Sequence, residues 1–175
     1  MSRKATPSTP MRALMLGVLT GARSATPLAM LALHHDRPSL HGAWQQWPVF
    51  RARVGRGLLL TAAVGELVAD KLPGTPSRVG VGPLAGRIVA GAIAGLAIDT
   101  VDGGRDRHTR RAPSARRDQR LQAAALGVLG ALVGSYAGYF VRKGVVSATG
   151  RPDWCVALIE DAATLTGAAA AVTAD

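Results

Sequence analysis

Residues 121–141 read LQAAALGVLGALVGSYAGYFV, twenty-one residues without a single charge. As a helix rising about 1.5 Å per residue, this run spans roughly 30 Å, the thickness of a bilayer's hydrocarbon core. It also carries Gly130, Gly134 and Gly138 at intervals of four, which on a helix form one smooth stripe. In a water-exposed helix each glycine costs about 1 kcal/mol against alanine. A stripe of them is therefore expected to serve close backbone approach, as between bilayer helices.

The rest of the chain fits the same solvent. Hydrophobic residues make up 48% but aromatic ones only 4%, so the apolar content is mostly Ala, Leu, Val and Gly. A soluble core of this size leans on large rings for buried area. Five apolar segments are expected to be helices: 11–33, 52–72, 83–99, 121–141 and 154–173. The first, fourth and fifth reach the roughly 20 residues that a span requires. The second must borrow Arg53 and Arg56, whose long stems can snorkel, and the third is short and contains Arg87. These two read as tilted short spans, re-entrant pieces or buried helices. The expected architecture is all-α: one polytopic helical membrane domain over 1–175, with a polar tail at 1–10 and a basic loop at 102–120.

The polar connectors carry the orientation signal. Loop 102–120 holds seven Arg against three Asp, in a chain of formal net charge +10. Such a loop belongs on the cytoplasmic side of a bacterial inner membrane. Five full crossings would put loop 34–53 and the C-terminus there too, and the N-terminus outside, against the pull of Arg3, Lys4 and Arg12. Trp44 and Trp47 in loop 34–53 suit a headgroup-level belt. At the N-terminus, basic residues precede apolar ones as in a signal peptide. Arg23 interrupts that apolar region and no small-residue cleavage site stands out, which favours a first membrane helix.

Enzymatic and cofactor constellations are not legible. Cys155 is the single cysteine, so no internal disulfide forms. His34, His35, His41 and Asp36 match no standard zinc spacing, and neither a metal nor another cofactor is expected. Ser24, Cys155 and the histidines offer no nucleophile with an identifiable base. GARSATP and GVGPLAG lack the Lys-Ser/Thr ending of a phosphate loop. The basic loop has no aromatic residue for base stacking, so a soluble nucleic-acid-binding protein is the least favoured class.

The charges inside apolar segments carry the chemistry. Glu66 and Asp70, in GELVADKLPG, lie four apart on one helix face, and Glu160 and Asp161 are adjacent in ALIEDAATL. An ionised acid at mid-bilayer costs roughly 2.5–3.5 kcal/mol, so these groups should face the bundle interior and find partners. Glu66 lies about 8 Å from Lys71, and Glu160 about 9 Å from Trp154, along helices whose ends share one membrane face. The two glutamates can share a pocket, with Arg23 as the deep counter-ion and Lys71, Arg142 and Lys143 as a basic rim. Pro27 beside Arg23 frees a carbonyl in that helix. The arrangement reads as an ion or proton site in a small transporter or channel, with a bilayer, a homo-oligomer and a small ion or solute as partners. The alternative is a scaffold whose buried charges only fix helix register.

These residues also resemble a known family. GVLTGARSATPLAML, ELVADKLPG, the Gly-rich helix ending in AGYFVRKG, and ALIEDAATL together look like the small bacterial integral membrane proteins grouped as domain of unknown function 4126. The resemblance implies an α-helical membrane protein without an assigned activity. It marks Arg23, Glu66, Asp70, Lys71, Lys143, Glu160 and Asp161 as characteristic polar positions. The long Arg-rich loop and Tyr139-Phe140 depart from that pattern.

Overall fold

The computed structural model describes residues 8–70, 80–105, 113–150 and 153–173. All regular structure among them is helical: α1 (Thr9–Ala22), α2 (Thr26–Leu33), two short 3-10 turns (Pro38–Leu40 and Ala43–Gln46), a short turn of helix α3 (Pro48–Arg51), α4 (Arg53–Ala69), α5 (Val81–Arg105), α6 (Pro113–Thr149) and α7 (Asp153–Thr173). Three of these are long and apolar enough to cross a membrane, within Val81–Gly103, Pro113–Thr149 and Trp154–Thr173.

That set differs from the expected one. The first segment is not continuous, because Arg23 is extended at φ −140°, ψ 110° and ends α1. Pro27 explains the break. In an unbroken helix its ring would collide with the Arg23 carbonyl and its missing N–H would leave that carbonyl unbonded. At the second position of a new helix it needs no N–H, and there it sits in α2. The second segment gives only the 17 residues of α4, while the third, expected to be short, extends to 25 in α5. The basic loop is helical at both ends: α5 runs on to Arg105, and α6 begins at Pro113. Only 106–112 of it lie outside the described residues.

The centre of the molecule is a three-helix seam of α1, α5 and α6, joined through glycines. A Cβ at Gly130 would meet the Leu14 carbonyl oxygen at 2.5 Å, and one at Gly134 would run into the Val18 carbonyl of α1. A Cβ at Gly127 would strike the Gly91 carbonyl of α5. The stripe is thus filled by this chain's own helices at Gly130 and Gly134, while Gly138 is half-buried. It offers no bare face for a second copy at those two positions. Gly57 and Gly65 on α4 are different, since a Cβ at either would touch nothing within 4 Å. Gly57→Ala or Gly65→Ala is therefore expected to stabilise by about 0.5–1 kcal/mol through lower unfolded-chain entropy. Thermal melting in detergent followed by circular dichroism checks this.

The connector at 34–53 is not a loose belt. Trp44 is fully buried and stacks edge-on against Phe50, with ring centroids 4.9 Å apart. Its indole Nε1 donates to the Leu40 carbonyl at 2.8 Å and its backbone N–H to Thr100 Oγ1 of α5 at 3.2 Å. Gly42 lies flat against Thr100, so the connector folds back onto α5. The headgroup role expected for Trp44 is corrected accordingly; Trp47 is half-buried.

Candidate functional site

Breaking a helix leaves free carbonyls at one end and free N–H groups at the other. Here both ends find partners from other segments. The Gly21 carbonyl, at the end of α1, accepts Arg87 Nη1 of α5 at 2.9 Å and Ser135 Oγ of α6 at 3.2 Å. The start of α2 is capped by Glu66 of α4. Its Oε1 accepts the Ser24 N–H at 2.8 Å and Ser24 Oγ at 2.9 Å, and its Oε2 accepts the Ala25 N–H at 2.9 Å. A carboxylate at this end also meets the positive pole of the helix. Arg87 Nη2 stands 3.9 Å from Glu66 Oε1, tying the two ends of the break together.

Arg23 occupies the break itself and is 0% exposed. Its Nε donates to Asp161 Oδ1 of α7 at 2.8 Å, and its Nη2 closes on the same oxygen. Its Nη1 lies 2.8 Å from Asp70 Oδ2, in an ion contact that lacks the angle of a hydrogen bond. Arg142 Nη1 of α6 donates to that Asp70 oxygen at 3.0 Å. One guanidinium therefore bridges carboxylates from two separate helices, and a second guanidinium shares one of them. With Glu66 and Arg87, the linked groups are three arginines and three carboxylates.

Arg23, Glu66, Asp70, Arg142 and Asp161 are thus brought together, but in a different pairing from the one expected. The acids that meet across Arg23 are Asp70 and Asp161, not Glu66 and Glu160. Adjacent residues point about 100° apart on a helix, so only one of Glu160 and Asp161 can face Arg23, and Asp161 does. Glu160 is half-buried with its Oε2 inside the protein. Lys143 is exposed, and Lys71 lies outside the described residues. Arg87, Ser24 and Ser135 are additions. Arg87 had a legible signal, because a lone cation in an apolar helix requires an acid.

Another buried cation holds the opposite end of α1. Arg12, 2% exposed, donates from Nη1 to Asp102 Oδ1 of α5 at 2.8 Å and from Nη2 to the Ala171 carbonyl of α7 at 3.4 Å. The histidines serve the connector: His34 Nδ1 contacts the Met30 carbonyl at 2.9 Å, and His35 pairs with Asp36. Among the described residues, no group of three or more His, Cys, Asp or Glu could hold a metal ion. No protein-family model, curated protein or solved structure matches the chain.

Proposed function

We propose that this chain is a multi-pass membrane protein of a bacterial inner membrane that carries a small ion or solute through the centre at its broken helix, with carboxylate protonation as the coupling step. One observation carries the reading: both ends of the α1–α2 break lie within a single buried charge cluster. Irregular backbone at membrane depth is tolerated where it is enclosed by protein or lines a cavity, and discontinuous helices of this kind form ion and substrate sites in carriers. Arg23 supplies the two-state element. Protonating Asp161 or Asp70 would free the guanidinium toward the other, loosening α7 from α4 or the reverse. The resemblance to the domain of unknown function 4126 family and assembly into a homo-oligomer belong to the same proposal, and neither requires catalysis.

A second reading has its own support. Three arginines matched by three carboxylates are what a scaffold needs to lock helix register without moving anything. Ion and proton flux into proteoliposomes separates the two. The carrier reading expects wild-type flux above protein-free vesicles, reduced at least about tenfold by Asp161→Asn and Glu66→Gln. Absence of flux from folded wild-type protein would reject the carrier and leave the scaffold.

A further inference from the structure

We infer that the end of the bundle at which α6 begins is a docking surface for acidic phospholipid headgroups, held chiefly by Arg116, Arg117 and Arg120; this rests on the membrane reading above for its depth, and not on the carrier.

Helix directions place the charges. Gly130 packs on Leu14 of α1 and Gly134 on Val18, so α1 and α6 run parallel. Gly91 packs on Gly127 and Gly95 on Ala123, so α5 runs against both. The start of α1, the end of α5 and the start of α6 therefore share one end of the bundle. The connector returns there too. After the turn at Arg23–Ala25 the chain comes back through Gly42 and Trp44 to Thr100, two residues from the Asp102 that pairs with Arg12. α1 and α2 thus form a re-entrant hairpin with its mouth at this end, and α4 starts beside it, where Phe50 stacks on Trp44. The start of α1 and the described ends of loop 102–120, which five crossings would set on opposite sides, share one side, as the basic residues of both require. Exposed arginines gather here: Arg37, Arg51 and Arg53 around the connector, and Arg116, Arg117 and Arg120 on α6. At the other end, Lys143 is the one exposed cation among the described residues.

The three α6 arginines are uncompensated within the chain. Arg116 and Arg120 are four apart and Arg117 and Arg120 three apart, so they are neighbours on the helix surface, and like charges at these spacings destabilise a helix. They also fall in the first turns of α6, near its positive pole, with no acid in the first turn. Asp118 is about 100–160° around the helix from each of them. Among the described residues, none of the three has a hydrogen bond or an ion pair. A local cost with no return inside the fold points to an anion from outside. The setting selects a lipid. Arg120 directly precedes Leu121, and Arg53 directly precedes Val54 with Leu58 one turn on, all three apolar residues being exposed. The 37 residues of α6 extend roughly 55 Å, of which the uncharged run from Leu121 covers about 30 Å. Its first turns therefore stand just outside the hydrocarbon core, with the three arginines within about 6 Å along the axis, at the level of lipid phosphates. A ligand with a phosphate there and acyl chains along the exposed apolar side chains satisfies both features. A free phosphate or a nucleic acid satisfies only the first.

The test uses the full chain in uncharged detergent, with dioctanoyl phosphatidylglycerol against dioctanoyl phosphatidylcholine, and with inorganic phosphate and a single-stranded oligonucleotide as further probes. Thermal unfolding is followed against probe concentration. Phosphatidylglycerol is expected to raise the melting temperature at concentrations at least about tenfold below those of phosphatidylcholine, and about 0.5 M salt should abolish that preference. The triple variant Arg116→Gln, Arg117→Gln, Arg120→Gln should lose at least about tenfold in apparent affinity for phosphatidylglycerol, and Lys143→Gln at the other end less than about twofold. Removing like charges from one exposed surface should leave the triple variant folded. Equal response to the two lipids overturns the inference, as does a folded triple variant with wild-type affinity, or inorganic phosphate or oligonucleotide matching phosphatidylglycerol. Should the triple variant not fold, a phosphatidylglycerol preference untouched by salt overturns it alone. Carbonate washing of membranes separates the two readings: release of the protein would sink both, while retention without preference for the acidic lipid would sink only the docking surface.

Discussion

Arg23→Met is expected to lower stability by about 3–5 kcal/mol, because it removes one guanidinium from carboxylates of two helices at once. Asp161 would lose both of its bonds to Arg23, and Asp70 would lose one of the two guanidinium groups on its Oδ2, keeping Arg142. Asp161 is 6% exposed, so water cannot readily replace the guanidinium. The cost is largely that of taking the guanidinium away from a buried carboxylate, which predicts a rescue. Arg23→Met combined with Asp161→Asn should recover much of the loss, since the neutral amide no longer demands a counter-ion. Arg23→Lys should not rescue, because a single ammonium cannot replace a planar fork that faces carboxylates on both sides. Folded yield, gel-filtration profile and melting temperature in detergent read out all three. A single Arg23→Met protein that melts within about 0.5 kcal/mol of wild type would show that the bridge contributes nothing to the fold.

Gly127→Leu is expected to cost on the order of 3 kcal/mol or more, through forced separation of helices. The Cβ of any side chain at 127 would lie on the Gly91 carbonyl of α5. In turn, a Cβ at Gly17 of α1 would lie on the Gly127 carbonyl. One residue of α6 is thus in backbone contact with both other members of the seam. No rotamer change relieves a clash with backbone, so α5 must move as a body. Gly144→Leu on the same helix is the control. Gly144 is exposed, a Cβ added there would meet nothing within 4 Å, and substitution should change stability by less than about 0.5 kcal/mol. Equal melting of the two variants would remove the seam from the account of this fold.

Several of these features are legible in the sequence, and the failures have physical reasons. The helical class follows from segment lengths and from the Gly130–Gly134 spacing. That spacing says a backbone approaches, but not whose, and α1 is the answer. Arg87 counted against its segment as a span; paired with the Gly21 carbonyl and Glu66, it sits within the 25 residues of α5. Depth along a helix can be read from residue count, so an acid centre fed by α4 and α7 was accessible. Azimuth cannot be read without neighbours. Hence Glu66 and Glu160 were expected to meet, whereas Asp70 and Asp161 do. Arg23 and Pro27 held the information for the broken helix, which a continuous apolar count over 11–33 hides. Trp44 suited a lipid interface by residue type, but its surroundings come from Leu40, Phe50 and Thr100, which carry no signal on their own.

The two buried arginines at the ends of α1 have a mechanical consequence. Arg12 and Arg23 are eleven residues apart, about 16 Å along the axis, and each is moored to a different stretch of α7, through Ala171 and Asp161. A rod pinned at both tips cannot slide like a piston past its neighbours without tearing both moorings together. The break after Ala22 lets α2 and α4 swivel against that rod once the Arg23–Asp70 and Arg87–Glu66 contacts open. Any working stroke of this molecule should therefore be a rocking of the α2–α4 arm, with α1 as the stationary post.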